Sequence, residues 1–258
     1  MAMGETVLKL EHIVKTFPGV KALSDINFEL LRGEVHAICG ENGAGKSTLM
    51  KVVCGAYQAD SGTIHLMGKE RHFSSPQEAF QSGISIIYQE TSLFEEMTVL
   101  ENLFLGHEPQ KRIGPVKVLD YPAMEKKAKE QFQSLGAEID IHAKIKTLGM
   151  AQKQMVEIAK ALTYHAQILI LDEPSASLTQ REVDALFEII RKLRSSGMGI
   201  VYISHRLEEI FEICDRVTVI RDGTYISTKP VNETNKDQLV ADMVGRSMRD
   251  YYPKAESN

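Results

Sequence analysis

Apolar residues follow two rhythms along this chain, and the two predict different parts of one fold. Residues 6–10 and 26–30 partly alternate between apolar and polar positions, and the turn-prone pair Pro18-Gly19 lies between them. They predict half-buried antiparallel strands, a character that residues 62–66 continue. Residues 34–39, 84–88, 168–171 and 200–203 are instead apolar, β-branched-rich runs without clean alternation. Strands of that kind are expected where both faces of a sheet are covered. Helical spacing lies between these runs, beginning with residues 47–54, so the chain reads as α/β with a mostly parallel core sheet and an antiparallel β portion.

The middle departs from this plan. Residues 93–162 are dominated by helical spacing, with a charged face at 124–133 and a turn-rich stretch at 106–122, and predict a helical insertion into the core. We therefore expect an α/β core in residues 1–92 and 163–230, a helical subdomain in 93–162, and a C-terminal helix (236–244) with a linker or tail in 231–258. No internal repeat is visible.

Composition narrows the options. A chain of 258 residues, 43% hydrophobic and 25% charged, can bury a full core. The net charge of −5 is spread along the sequence without a run of five or six basic residues, which argues against an extended nucleic-acid footprint. Cys39, Cys54 and Cys214 are far apart and form no metal-binding spacing, so buried reduced thiols are expected. No apolar run approaches the roughly 18 residues of a membrane-spanning helix, so any membrane association is expected to be peripheral.

The strongest chemical signal is Gly40-Glu41-Asn42-Gly43-Ala44-Gly45-Lys46-Ser47, followed by Thr48, at a strand-to-helix junction. It matches the phosphate-binding loop G-x-x-x-x-G-K-[ST], the mark of a P-loop NTPase core. Glycines let successive N–H groups turn inward on phosphate oxygens, the helix N-terminus adds its positive dipole end, Lys46 reaches the outer phosphates, and Ser47 offers a hydroxyl to Mg²⁺. A chance match in a chain of this length is on the order of 1%. ATP and Mg²⁺ are thus the expected cofactors.

A second element must hold the metal and activate water. The run Ile168-Leu169-Ile170-Leu171 delivers Asp172 and Glu173 at the carboxyl end of a strand, where ligands of open α/β sheets bind. Neighbours on a strand point oppositely, so the two carboxylates are expected to have different tasks. Asp172 is assigned to the Mg²⁺ shell and Glu173 to orienting or deprotonating the attacking water. A strand ending in solvated acids would look the same in isolation, and Lys46 and Ser47 weigh against that reading.

With these motifs in hand, the chain resembles the ATP-binding cassette ATPases, and among them the cassettes of bacterial monosaccharide importers. The resemblance spans nearly the whole chain. It rests on Phe17-Pro18-Gly19-Val20-Lys21-Ala22-Leu23, the phosphate loop, Tyr88-Gln89-Glu90, Thr98-Val99-Leu100-Glu101-Asn102, Gln154-Met155-Val156-Glu157-Ile158-Ala159-Lys160, Asp172-Glu173-Pro174-Ser175-Ala176-Ser177-Leu178-Thr179 and Ile203-Ser204-His205-Arg206-Leu207. It implies that Phe17 stacks on adenine, that Gln89 touches Mg²⁺ or the attacking water, and that His205 contacts the γ-phosphate. The remaining histidines, His36, His65, His142 and His165 among them, have no such support.

The family usually carries Leu-Ser-Gly-Gly-Gln at the start of a helix, and this chain has Leu148-Gly149-Met150-Ala151-Gln152. The resemblance implies head-to-tail pairing of two cassettes, with the signature of one covering the γ-phosphate held by the other. Gly149 removes a serine hydroxyl worth roughly 1–3 kcal/mol if it bonds a charged oxygen, while the helix N-terminus remains. Monosaccharide importers of this type resemble tandem proteins. Met243-Val244-Gly245-Arg246 through Tyr251-Tyr252-Pro253 resembles the junction into a second cassette, so the chain is expected to be the N-terminal half of a longer protein at the cytoplasmic face of the membrane. Its implied partners are that second cassette, two transmembrane permease subunits and, indirectly, a sugar-binding protein. Two other readings remain: an ATPase acting on nucleic acid or ribosomes, for which neither a long coiled coil nor a basic face is visible, and a half that senses nucleotide without hydrolysing it.

Overall fold

A computed structural model describes residues 4–89, 92–113 and 115–245. The chain opens with two long strands, β1 (Thr6–Phe17) and β2 (Val20–Leu31), paired antiparallel. Each is 12 residues, far longer than the five-residue segments that alternation predicts. The alternation is interrupted because bulges break the register, with His12 and Asp25 at positive φ. β3 (Val35–Cys39) leads through the phosphate loop to α1 (Lys46–Val53), and β4 (Ser61–Leu66) and β5 (Lys69–Arg71) return to the antiparallel edge. Next come α2 (Pro76–Gln81), β6 (Ile84–Ile87) and α3 (Val99–Phe104).

The stretch read as turn-rich holds a separate hairpin, β7 (Gln110–Ile113) with β8 (Val116–Leu119). Its Arg112 and Lys117 face each other across the strands, and apolar–polar alternation over four residues was too short to register. The chain continues with α4 (Tyr121–Leu135), α5 (Met150–Thr163), β9 (Ile168–Asp172), α6 (Gln180–Ser195), β10 (Gly199–Ile203), α7 (Leu207–Ile213), β11 (Arg216–Arg221), β12 (Thr224–Pro230) and α8 (Lys236–Val244). The end of the junction segment, from Arg246 onward, lies outside the described residues, as does Glu90.

Among the described residues, ten strands form one sheet in the order β5-β4-β1-β2-β12-β11-β3-β10-β9-β6. The right side, β11-β3-β10-β9-β6, is parallel, and the left side is antiparallel. The absent alternation of the central strands has a direct cause. Leu169 and Leu171 of β9 enter one apolar core with α3 to α8, whereas Ile168 and Ile170 enter a second with α1, β1 and β2. Val201 and Ile203 of β10 split from Ile200 and Tyr202 in the same way. A strand buried on both faces has no polar side to alternate with.

The two sheet halves meet at a seam where β12 and β2 pair only through Thr224 and Ser24. There Arg216 binds Glu34 through both carboxylate oxygens. Burial pushes the Glu34 carboxyl up, but the adjacent His36 imidazole and the Arg216 guanidinium outweigh it and bring the group to about 2. Among the described residues, no helix is long and apolar enough to cross a membrane.

Candidate functional site

The phosphate loop is shaped by what lies behind it. A Cβ at Gly40 would stand 2.1 Å from the Ile220 carbonyl oxygen, so only glycine lets β3 turn away beside β11. At Gly45, φ is 103° and a Cβ would meet the Ala22 carbonyl oxygen at 2.8 Å. The loop is clamped by Gly223, whose N–H donates to the Ala44 carbonyl at 3.0 Å. α1 then starts at Lys46 with no acidic residue in its first turn, leaving its dipole uncompensated by its own side chains. Lys46 is 7% exposed, and its ammonium donates to the carbonyls of Gly40 at 2.7 Å and Glu41 at 3.0 Å. Burial lowers its pKa, opposed by the charges of Glu173 and Asp172.

Opposite the loop, β9 ends at Asp172. Glu173 is already off the strand, with φ at 49° and its N–H donating to the Ile203 carbonyl at 2.9 Å. The two carboxylates therefore do not point to opposite sides of the strand, as alternation predicts. A left-handed glutamate turns its side chain to the same cavity as Asp172, and such a conformation costs on the order of 1–3 kcal/mol. Burial raises the Asp172 pKa, the Glu173 charge adds to the rise, and Lys46 and Lys51 oppose it. His205, just past β10, brings Nδ1 to 3.1 Å from Glu173 Oε1.

These elements enclose a cavity of about 630 Å³. Asn42, Gly43, Ala44, Gly45, Lys46, Ser47, Thr48, Gln89, Asp172 and Glu173 line it. Residues from three distant parts of the sequence thus converge at the carboxyl ends of β3, β6 and β9, where open α/β sheets bind ligands. Phe17, Gly40, Glu41 and His205 are not among the lining residues. Phe17 packs edge-on against Tyr57, with ring centroids 5.2 Å apart, and Lys15 lies over its ring.

Sequence reasoning missed Val20, Lys21, Ala22, Asp222 and Gly223, which complete the wall. The Asp222-Gly223 turn has positive φ at both residues, and Asp-Gly between apolar runs is a strong hairpin signal that would have found β11 and β12.

The segment Leu148 to Gln152 contributes nothing to this cavity. Gly149 is the N-cap of α5 and offers no side chain. Its own N–H is satisfied by Gln152 Oε1 at 3.1 Å, which is half of a capping box. A Cβ at Gly149 would meet only that oxygen, at 4.0 Å. Met150 follows at 41% exposure, Ala151 is half-buried, and Leu148 packs partly against the core.

Comparison with known proteins agrees with this geometry. The family model described as ABC transporter matches residues 23–176. The ribose import ATP-binding protein RbsA 2 of Burkholderia ambifaria is 51% identical over 249 residues, covering 96% of this chain and 49% of that protein. The galactose/methyl galactoside import ATP-binding protein MglA of Escherichia coli is 48% identical over 254 residues, 98% of this chain and 49% of that protein. The chain therefore spans about half the length of the curated relatives it matches. Among solved structures, the ADP conformation of MJ1267, an ATP-binding cassette of an ABC transporter, superposes with a TM-score of 0.81 at 28% identity over 94% of this chain and 100% of that one. A nucleotide-free cassette from an ABC transporter gives 0.79 at 26%, covering 96% and 99%. The match over residues 23–176, together with a phosphate loop backed by two cavity carboxylates, shows that this chain belongs to the ABC transporter family.

Proposed function

We propose that the chain is an ATP-binding and ATP-hydrolysing cassette that powers uptake of a small sugar through a membrane transporter. The observation that carries this reading is the convergence of Lys46, Ser47, Gln89, Asp172 and Glu173 on one cavity beneath a helix N-terminus. Loop N–H groups and the dipole of α1 bind the phosphates, and Lys46 neutralises their outer charge. The Ser47 hydroxyl, the Gln89 amide and the Asp172 carboxylate are hard oxygen donors facing one space, a set that fits Mg²⁺ sharing its remaining positions with phosphate and water. Bound there, the ion would supply charge neutralisation between the outer phosphates. Glu173 orients and deprotonates the water, and His205, within hydrogen-bond reach of Glu173, holds that carboxylate toward the γ-phosphate. Phe17 is assigned the adenine face.

Residues 1–92 and 163–230 act as the ATP core, 93–162 as the helical subdomain, and 231–258 as the tail. The relatives' names support sugar import, and their doubled length supports a second cassette in the same polypeptide. The exposed start of α5 would cover the nucleotide of that second cassette. Two permease subunits and a sugar-binding protein complete the assembly, with the cassette on the cytoplasmic face of the membrane. The test is Glu173→Gln. ATP affinity measured by calorimetry should stay within about threefold, while hydrolysis falls by roughly 10²–10⁴, the size of general-base effects. Unchanged turnover would mean that the water is activated elsewhere.

A further inference from the structure

Glu209 lies outside the cavity, on α7, and is 4% exposed. Three hydroxyl groups converge on its Oε2: Ser175 at 2.8 Å, Tyr202 at 2.8 Å and Ser204 at 3.1 Å. The Arg206 guanidinium stands 2.7 Å from Oε1, off the line of a hydrogen bond. The Arg206 N–H in turn donates to Ser204 Oγ at 3.0 Å. Charge-assisted hydrogen bonds are the stronger kind, and a buried carboxylate is tolerable only when satisfied in this way.

What the carboxylate ties together is specific. Ser175 is two residues beyond Glu173, on the loop that leaves β9. Ser204 is the neighbour of His205, on the loop that leaves β10. The two loops come from separate strands, and apart from the Glu173 N–H to Ile203 carbonyl bond they meet through Glu173 with His205 and through Glu209. Glu173 also sits in a left-handed conformation that must be held by its surroundings.

We infer that Glu209 is a positioning residue for hydrolysis, setting the separation of Glu173 and His205 by anchoring the loop behind each. The inference rests on the hydrolytic reading above and adds a residue to it. A carboxylate suits the task because one oxygen, Oε2, accepts from three hydroxyl groups while the other, Oε1, pairs ionically with Arg206. An amide of the same shape keeps one acceptor oxygen and turns an N–H₂ group toward either the hydroxyls or the guanidinium. Displacement of a catalytic group by about 1 Å can cost on the order of 10²-fold in rate.

The test uses the full chain at the concentration where its turnover is highest. Glu209→Gln should lower kcat at least 10-fold while KM for ATP and the Kd of a non-hydrolysable ATP analogue stay within twofold, because no residue lining the cavity is altered. Leu239→Ala, a buried position on α8 away from these loops, serves as the stability-matched control and should lower the Tm without moving kcat. If Glu209→Gln does not fold, the double variant Ser175→Ala with Ser204→Ala detaches both loops from an intact carboxylate and should show the same split between kcat and KM. An unchanged kcat in the folded variant overturns the inference, as does a kcat that merely tracks Tm across the control. Tight ATP binding with no turnover even at concentrations where cassettes pair overturns the hydrolytic reading itself, and the role of Glu209 with it.

Discussion

The phosphate loop and the segment from Leu148 to Gln152 both sit at helix N-termini, yet only the first is enclosed by its own chain. Behind the loop stand the Ile220 and Ala22 carbonyls and the Gly223 N–H, and in front stand Asp172 and Glu173. Around Gly149 there is open space, with Met150 exposed beside it. A helix terminus with walls is a binding site by itself. One without walls offers its dipole to whatever docks on it. On the proposed function, the difference means that this chain binds nucleotide alone while presenting half of a second contact, which divides binding from turnover.

The largest expected effect comes from spoiling the walled side. Gly45→Ala places a Cβ 2.8 Å from the Ala22 carbonyl oxygen and 3.0 Å from Leu23 Cδ2, at a φ that alanine resists. Overpacking and the backbone penalty together cost about 3 kcal/mol, or roughly 10 °C in a chain of this length. Thermal unfolding with an ATP titration should show the lower midpoint and the loss of ligand-induced stabilisation. A variant that binds ATP normally would mean that the loop tolerates a wall moved outward, and the contrast between the two termini would lose its basis.

Gly149→Ser should do little by comparison. Its φ of −69° and ψ of 165° suit any N-cap, and a serine hydroxyl there would accept from the Gln152 N–H and complete the capping box. The gain over glycine is a few tenths of a kcal/mol, near 1 °C in the unfolding midpoint, with ATP affinity of the chain's own loop unchanged. A shift in that affinity would show that the two termini are coupled within one chain.

Much of the walled site was legible because its chemistry is local in sequence: Gly40 to Ser47 and Asp172 to Glu173 each carry their own pattern. What was missed is long-range. Ala22 and Gly223 reach the cavity because the antiparallel β1–β2 ribbon and the β11–β12 turn fold against the loop, and neither carries a catalytic side chain. The separate tasks of Asp172 and Glu173 were argued from strand alternation, and the left-handed φ of Glu173 removes that warrant while leaving both carboxylates in the cavity. The lengths of β1 and β2 were underestimated because bulges at His12 and Asp25 break the two-residue period. The β7–β8 hairpin escaped notice because four-residue strands leave too short a record of alternation.

The central claim is that ATP binding belongs to this chain alone and turnover to a pair of cassettes. It is tested most directly by measuring steady-state ATP turnover per chain over a hundredfold range of chain concentration, with nucleotide occupancy followed in parallel. The account predicts full occupancy throughout, with turnover that is slow and rises as the chains become concentrated enough to pair. Rapid turnover per chain that is unchanged by dilution would contradict it.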